Sequence, residues 1–398
     1  MKAVSIKVLI VSLNGVQELS GGGLYLRSVV TAFAGLGQVS EVTVISKEVG
    51  EKSVTLPDNV RYVYVPKTVR SDIVSRAMLN PTFLGTSTGL IAQHAQKADL
   101  VVLHNSRCGR ILSTLKRQLP GKRFGIISDN SEYDLRRQHE ANSFLRKLER
   151  KIDSCEIYAA EKRCLQADFI SFITRKDRDV YIARYGQPAV HEILPITVEA
   201  GISAADLRPT QRPRVIFTGH FGFAPNVSAL QMFAQAAEQF RLSAVGHEVS
   251  FAAAGANLSK CSMAGEHFER LESPSSVQMQ AFFRGASVYL APVAWGSGMK
   301  TKVAEALSYG LPVICLANAA EGYEDVLSSD RHRCVIEVVK DVGQMVRGLA
   351  ALFADPDELL RRRQLALEAF HLYLSPASQA RRMHALIAAI GLDSGSST

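Results

Sequence analysis

The sequence lacks the patterns that would assign it to several specialised classes of protein. It has only six cysteines in 398 residues, and none of them shows the Cys-x-x-Cys spacing of zinc or redox motifs. Their scatter favours reduced thiols in a cytosolic protein and argues against a disulfide framework or a metal site. No apolar run approaches the roughly 20 residues of a transmembrane helix. The short apolar run after Lys7 has no small-residue cleavage site behind it, so we expect no signal peptide.

Acidic residues are too few to balance the basic ones, but only in one half of the chain. Residues 1–200 contain 28 Lys and Arg against 20 Asp and Glu, whereas residues 201–398 contain 18 of each class. The formal charge of +8 therefore belongs to the first half, which indicates an anionic partner for that half alone. No nucleic-acid-binding motif accompanies this charge, so we expect no nucleic acid and favour an anionic membrane surface.

Short apolar runs alternate with helix-length amphipathic segments, the pattern of βα units and parallel sheets. We therefore predict an α/β fold of two doubly wound, Rossmann-like domains that face each other across a cleft. The predicted domains are 1–200 and 212–375, followed by a helix and a short disordered tail at 376–398. The predicted strands are 6–11, 41–46, 60–65, 99–103, 123–128, 168–173, 214–218, 249–254, 287–293, 312–317 and 334–338. The predicted helices are 134–165, 226–240, 276–284, 299–309, 341–354, 357–371 and 376–390, and 192–214 is predicted as a linker.

The segment GSGMKTKVAEA at 296–306 carries the strongest chemical signal. Its glycines allow the backbone to turn sharply after a strand, and the helix that follows presents free N–H groups to an anion. Lys300 and Lys302 lie in the first helical turn, where cations are unfavourable unless an anion is bound. Glu305 follows on the same face and can accept hydrogen bonds from hydroxyl groups. The alternative is an exposed turn, capped by Ser297, with a Lys–Glu surface pair.

Several passages of the second half match one family pattern in order and spacing. They are Gly219 to Asn226, Pro292, Gly296 to Gly298, Lys302, Glu305, GLPV at 310–313 and NAAEGY at 318–323. Together they resemble the donor domain of GT-B glycosyltransferases, in particular the nucleotide-sugar-dependent family 4 group. The chain departs from that pattern at Ser297, where many members have glutamate, and at His220, where others have arginine or lysine.

The resemblance implies a role for each matching residue of the second half. Glu305 is expected to hold the ribose of the nucleotide, and Lys302 is expected to contact the diphosphate and to act in catalysis. The further residues expected to bind the donor are Gly219, Gly296, Ser297, Gly298, Met299 and Lys300.

The first half contributes weaker candidates. Gly21, Gly22 and Gly23 open a helix and are expected to approach the donor, although a plain flexible turn is the alternative. By the resemblance, His104 lines the sugar site as a catalytic residue, or else is a packing residue. Asp129 and Glu132 are acceptor-side candidates or, equally, helix caps.

The activity implied is the transfer of a sugar from a UDP- or GDP-sugar to a hydroxyl of a glycan or lipid-linked acceptor, in the synthesis of surface polysaccharide. The resemblance further implies retention of anomeric configuration, no metal and no cofactor. The expected location is the cytoplasm, with peripheral attachment to the inner face of the cell membrane. Two alternatives stay open, a nucleotide-sugar 2-epimerase and a non-catalytic nucleotide-sugar-binding protein.

Overall fold

The computed structural model describes residues 5–18, 20–49, 55–138, 144–208, 212–242, 248–261, 267–296 and 298–392. The chain divides into two compact units. Unit 1 comprises residues 1–196 and 379–398, and unit 2 comprises residues 197–378. The division falls within the segment 192–214 that the sequence predicts as a linker. The predicted tail at 393–398 lies outside the described residues.

Unit 1 contains, in its described part, a sheet of seven parallel strands. They are β1 (Ile6–Ser12), β2 (Val39–Lys47), β3 (Val60–Val65), β4 (Leu100–His104), β5 (Arg123–Ser128), β6 (Phe169–Phe172) and β7 (His191–Ile193). Their order is β3-β2-β1-β4-β5-β6-β7, so the direction of winding reverses between β1 and β4. Ligands of such sheets bind beyond the carboxyl ends of the strands at this switch point.

Helices cover both faces of this sheet. They are α1 (Gly21–Ala34), α2 (Val69–Ala77), α3 (Thr88–Lys97), α4 (Gly109–Gln118), α5 (Glu132–Gln138), α6 (Phe144–Arg163) and α7 (Arg175–Tyr185). Because both faces are covered, strand interiors are buried without alternation: Val8, Leu9, Ile10 and Val11 are each at most 1% exposed. Of the helix predicted at 134–165, the structure describes α5 as far as Gln138 and α6 from Phe144, and residues 139–143 lie outside the described part.

Unit 2 has a second parallel sheet with the same winding. Its strands are β8 (Arg214–Thr218), β9 (Ser250–Gly255), β10 (Glu269–Glu272), β11 (Val288–Ala291), β12 (Val313–Leu316) and β13 (Ile336–Val339). The order is β10-β9-β8-β11-β12-β13, which places its switch point between β8 and β11. The helices are α8 (Ala224–Arg241), α9 (Ser276–Arg284), α10 (Thr301–Ser308), α11 (Glu324–Leu327), α12 (Val342–Ala354) and α13 (Pro356–Ala369).

The last helix, α14 (Pro376–Ala389), carries the chain into unit 1. The hydroxyl of Ser28 on α1 donates a hydrogen bond to Oε1 of Gln379, and both groups are buried. Arg382 Nη1 donates to the carbonyl of Ile193 at 3.1 Å. These polar contacts join α14 to α1 and to β7 within unit 1.

The predicted fold class, two Rossmann-like α/β domains, is confirmed by these two sheets. Strands β7 and β10 were missed because they are short and partly exposed, without the apolar run of a buried strand. The helix predicted at 226–240 begins two residues earlier, at Ala224, because Pro225 fits the first helical turn. No helix in the described part of the chain is long and apolar enough to cross a membrane.

Candidate active site

The first part of the candidate site is the loop between β11 and α10, beside the switch point of unit 2. Gly296 has φ +118° and Gly298 has φ +72°, conformations that residues with a Cβ rarely adopt. The two glycines are therefore required by the path of the backbone. Ser297, between them, lies outside the described residues.

Lys300 folds back on this loop. Its ammonium group donates hydrogen bonds to the carbonyl of Gly298 at 2.7 Å and to the carbonyl of Gly296 at 3.3 Å. The side-chain amide of Asn318 also donates to the Gly296 carbonyl, at 3.0 Å. Lys300 and Asn318 thus fix the loop in place. The expected contact between Lys300 and the donor diphosphate stays a prediction, because here the ammonium group faces the loop carbonyls.

Lys302 and Glu305 lie on one face of α10 and bind each other. Lys302 Nζ is 2.5 Å from Glu305 Oε2, and the two side chains are 42% and 27% exposed. This geometry is that of the surface pair that the sequence left as an alternative. Both groups are nevertheless open to solvent beside the glycine loop, so a ligand with phosphate and hydroxyl groups can exchange for the ion pair.

Tyr323 holds the start of α10. Its hydroxyl accepts a hydrogen bond from the N–H of Ala304 at 2.9 Å and donates one to the carbonyl of Lys300 at 2.7 Å. Burial raises the pKa of Tyr323 well above its usual value, so the hydroxyl keeps its proton and can donate this hydrogen bond. The sequence placed Tyr323 at the end of the NAAEGY passage, but gave no signal of this bond to the helix terminus.

Met299 lies beneath the loop. It is only 7% exposed, and a Cβ built on Gly322 would stand 2.8 Å from Met299 Cγ. Gly322 therefore leaves the space that the methionine side chain fills. Any contribution of Met299 to donor binding can come only from its backbone or through its packing.

The loop after β8 adjoins the glycine loop. A Cβ on Gly296 would lie 3.6 Å from Pro225 Cγ, which places the two loops side by side. The N–H of Gly219 donates to the carbonyl of Ala254 at 3.1 Å. His220 is exposed and its Nε2 lies 3.3 Å from the amide nitrogen of Asn257. Gly219 and His220 therefore stand at the same switch point as the loop 292–300.

The first turn of α10 is suited to an anion. The N–H of Val303 is bonded to the Lys300 carbonyl, and that of Ala304 to Tyr323. The N–H groups of Thr301 and Lys302 have no acceptor among the described residues. Free N–H groups at a helix start carry a partial positive charge, to which the Lys302 ammonium adds a full one. This is the chemistry that binds phosphate groups.

The second part of the candidate site is a cavity of about 430 Å³ at the carboxyl edge of the sheet of unit 1. Its lining is mostly polar and comes from the segments that follow β1 to β5. The lining residues are Leu13, Asn14, Gly22, Lys47, Lys67, Asp72, Arg76, Pro81, Thr82, Phe83, Asn105, Arg107, Asp129, Asn130 and Glu132. A concave site of this size with converging polar groups fits a small hydrophilic ligand. It brings together Gly22, Asp129 and Glu132 of the predicted residues.

Asp129 and Glu132 are held in the cavity wall by asparagine amides. Asn14 Nδ2 donates to Asp129 Oδ2 at 3.1 Å, and Asn105 Nδ2 donates to Glu132 Oε1 at 2.9 Å. Burial raises the pKa of Asp129 to about 7. Burial also raises the pKa of Glu132, and the charge of Arg107 opposes that rise. Near neutral pH the carboxyl group of Asp129 can therefore either donate or accept a hydrogen bond.

His104 is fully buried and does not line the cavity. Its Nδ1 is 3.0 Å from the hydroxyl of Ser12, and its Nε2 is 3.4 Å from Asp129 Oδ1. Burial lowers the pKa of His104 to about 3, so the ring is neutral. Asp129, which His104 contacts, stands at the cavity wall, and the expectation that His104 lines the sugar site stays a prediction. A catalytic role for His104 stays a prediction.

The three glycines at the start of α1 have different surroundings. A Cβ on Gly22 would lie 2.5 Å from the side chain of Asn14, and one on Gly23 would lie 2.3 Å from the carbonyl of Glu18. A Cβ on Gly21 would meet nothing within 4 Å. Gly22 and Gly23 are thus fixed by packing. Gly22 in particular allows Asn14 to reach Asp129.

Metal ligands are not grouped in either part. Among the described residues, no three His, Cys, Asp or Glu side chains come together in a way that could hold a metal ion.

Comparison with known proteins supports the resemblance. Residues 212–355 match the family Glycosyl transferases group 1. No curated protein matches the chain by sequence. The fold is similar to that of sucrose-phosphate synthase from Thermosynechococcus elongatus, with a TM-score of 0.65 and 15% identity over 96% of this chain and 98% of the other.

Two further solved structures have the same fold. One is the UDP-forming trehalose-phosphate synthase of Burkholderia xenovorans in complex with glucose-6-phosphate, with a TM-score of 0.63 and 14% identity over 95% of this chain and 99% of that one. The other is Anabaena HepE in complex with UDP, with a TM-score of 0.64 and 8% identity over 96% of this chain and 100% of that one. These findings confirm the predicted resemblance to GT-B glycosyltransferases and, with it, the class of enzyme.

Proposed function

We propose that this GT-B glycosyltransferase binds a nucleoside diphosphate sugar at α10 of unit 2 and transfers the sugar to a hydroxyl group of an acceptor bound in the cavity of unit 1. The observation that carries the proposal is the start of α10. There, two N–H groups have no acceptor among the described residues, and the Lys302 ammonium lies three residues before the carboxylate of Glu305. This order of groups fits a diphosphate followed by a ribose.

The leaving diphosphate requires positive charge that is fixed before the reaction begins. Helix N–H groups and a lysine supply such charge without a metal ion, and they act most strongly where water is excluded. On this basis we propose a metal-independent reaction, and by the family resemblance one that retains the anomeric configuration. The donor nucleotide is proposed to be UDP or GDP.

The acceptor is proposed to be a glycan or a lipid-linked sugar of a surface polysaccharide or glycoconjugate. Asp129 and Glu132, presented by asparagine amides, are hydrogen-bond partners for sugar hydroxyls. The six cysteines are all free thiols, which supports a reducing compartment and hence the cytoplasm.

A nucleotide panel tests the donor site directly. The thermal unfolding of the full chain is followed with UDP, GDP, ADP, dTDP and their glucose or mannose conjugates. A ligand at 100 times its Kd stabilises the folded state by about 2.7 kcal/mol, so the preferred nucleotide stands out from the rest. The shift is expected to be reduced in Glu305→Ala and kept in Glu238→Ala, a matched change at a glutamate that pairs with Arg241 at the end of α8. Equal shifts in both variants would refute the site.

Incubation of the enzyme with the preferred donor alone separates transfer from epimerisation. A transferase without acceptor leaves the sugar of the nucleotide unchanged apart from slow hydrolysis, whereas a 2-epimerase yields a second nucleotide sugar. Formation of that second species would refute the proposed transfer. Binding with neither turnover nor hydrolysis in the presence of an acceptor panel would instead identify a non-catalytic binding protein.

A further inference from the structure

The helix α2 of unit 1 exposes most of its apolar side chains. Within the helix only Ser75 is buried. Val69 is 77% exposed and Ile73 is 62% exposed, and in the turn that follows Met78 is 54% and Leu79 is 56% exposed. Single exposed apolar side chains are ordinary, but several on one short element indicate an interaction surface.

A second helix, α6, has exposed apolar side chains of its own. Arg76 on α2 forms an ion pair with Asp153 on α6 at 2.6 Å, which connects the two helices. On α6, Leu148 is 48% exposed and Ile152 is 53% exposed. Leu148 and Ile152 are one helical turn apart and therefore share a face of α6. We use the name α2–α6 face for seven exposed apolar residues of α2, of the turn after it and of α6. They are Val69, Ile73, Val74, Met78, Leu79, Leu148 and Ile152.

Basic side chains accompany these apolar ones. Residues 67–79 contain three basic residues and one acidic residue, and residues 146–152 contain four basic residues and one acidic residue. Lys147 and Lys151 are exposed directly beside Leu148 and Ile152. Apolar tips among lysines and arginines are the composition of segments that lie in the interface of an anionic membrane.

The charge also argues against a second copy of the chain on this face. A symmetric dimer through the α2–α6 face would set the same cluster of positive charges against itself. Juxtaposed like charges oppose association. An anionic lipid surface, by contrast, neutralises the lysines and takes up the apolar tips.

We infer that the α2–α6 face is a membrane-docking surface: the basic residues beside it bind anionic lipid headgroups, and Val69, Ile73 and Met78 insert among the lipids. The inference deepens the proposed function. The adjacent face of α2 contributes Asp72 and Arg76 to the polar cavity. Docking here would therefore bring a lipid-linked acceptor to the mouth of the cavity that we assign to it.

The test is co-sedimentation of the full chain with vesicles of phosphatidylcholine alone or with one part phosphatidylglycerol to two of phosphatidylcholine. We expect recovery with the anionic vesicles only, falling at least about tenfold between low and high salt because the charge attraction is screened. Ile73→Ser with Met78→Ser tests insertion, and Lys147→Gln with Lys151→Gln tests the charge. Each pair is expected to reduce recovery at least about fivefold.

Matched controls lie on unit 2. Leu242 and Val277 are 73% and 75% exposed, and Leu242→Ser with Val277→Ser should sediment like the wild type. Lys340→Gln is the control for charge. Equal recovery with neutral and anionic vesicles, or an equal loss in the control variants, would overturn the inference. So would a dimer, detected by light scattering, that Ile73→Ser with Met78→Ser abolishes, because the occupant would then be a second copy.

The nucleotide-induced thermal shift of the same samples separates this inference from the proposed function. A normal shift without vesicle binding would overturn the docking surface alone. Vesicle binding without any nucleotide shift would overturn the proposed function and leave the docking surface supported.

Discussion

The ammonium group of Lys302 lies 2.5 Å from Oε2 of Glu305, three residues further along α10. Both side chains are partly exposed, so the pair contributes little to folding, on the order of 0–1 kcal/mol. The pair matters for ligand binding because of where its charges lie: the Lys302 ammonium is near the glycine loop, and the Glu305 carboxylate is one turn further along α10. Variants of either residue should fold, and their effects on ligands can be read without correction for stability.

The first prediction concerns Glu305. If its carboxylate accepts hydrogen bonds from the ribose hydroxyls, Glu305→Ala should weaken the binding of the sugar nucleotide and of the free nucleotide equally, by about 1–3 kcal/mol. Isothermal titration with both ligands measures the loss. Glu238→Ala, which breaks a similar pair three residues apart with Arg241 at the end of α8, serves as the control. An unchanged nucleotide affinity in the folded Glu305 variant would remove this residue from the donor site.

The second prediction concerns Lys302. Negative charge on the diphosphate increases as the sugar leaves, so the ammonium group should stabilise the transition state more than the bound donor. Lys302→Ala should therefore lower kcat more than it raises KM for the donor. Steady-state kinetics with the preferred donor provide the measurement. A raised KM with an intact kcat would show that Lys302 only binds the donor.

The third prediction concerns Tyr323. Tyr323→Phe removes the hydroxyl that bridges the Ala304 N–H and the Lys300 carbonyl and leaves both groups unsatisfied. We expect a loss of about 1–3 kcal/mol in the free energy of unfolding, together with weaker nucleotide binding, because the start of α10 is no longer fixed. Denaturant unfolding and titration measure the two effects.

Tyr309→Phe is the matched control for Tyr323. The Tyr309 ring is also buried, at 7% exposure, and stacks on Phe283 with ring centres 5.0 Å apart. The same loss of a hydroxyl should change stability and nucleotide affinity much less there. Similar effects in both variants would mean that the hydroxyl of Tyr323 has no special role at the helix start.

The sequence predicts the strands at the centre of each sheet because they are buried on both faces and therefore consist of continuous apolar residues. It does not predict β10, an edge strand with charged residues at both ends, Glu269 and Glu272. In the candidate site, the glycine loop and the Lys302–Glu305 spacing follow from local sequence. The direction of the Lys300 side chain does not, because it depends on a rotamer choice.

Contacts between distant segments are also beyond the sequence. Tyr323 meets Lys300 across 23 positions. Asn14 meets Asp129 across 115 positions. Such contacts are created when parallel strands bring their carboxyl ends together, and no periodicity in the chain encodes them. The contact between His104 and Asp129 likewise joins two strand ends and could not be predicted from the sequence.

The last prediction concerns the pH dependence of stability, through His104 and Asp129. Burial lowers the pKa of His104 to about 3 and raises that of Asp129 to about 7. Between about pH 4 and pH 6.5 the folded pair therefore holds one proton, on Asp129, whereas the unfolded chain holds one proton, on the histidine. Because the two states bind equal numbers of protons, the pair adds almost no pH dependence to the free energy of unfolding in this range.

When either residue is replaced, the free energy of unfolding should acquire the pH dependence that the remaining residue causes. In Asp129→Asn, the unfolded chain binds a proton at His104 below about pH 6.5 that the folded chain does not, so stability falls as the pH falls. In His104→Gln, the folded chain binds a proton at Asp129 between about pH 4 and pH 7 that the unfolded chain does not, so stability rises as the pH falls. Each slope approaches about 1.4 kcal/mol per pH unit.

Denaturant unfolding between about pH 4.5 and pH 6.5 measures both slopes. The two variants should deviate from the wild type in opposite directions, while His371→Gln, at an exposed histidine, should follow the wild type. If both variants deviated from the wild type in the same direction, the folded protein would not be keeping both His104 and Asp129 uncharged. Opposite signs would show that the proton of the folded pair resides on Asp129, which leaves His104 neutral and keeps a carboxylic acid at the wall of the cavity.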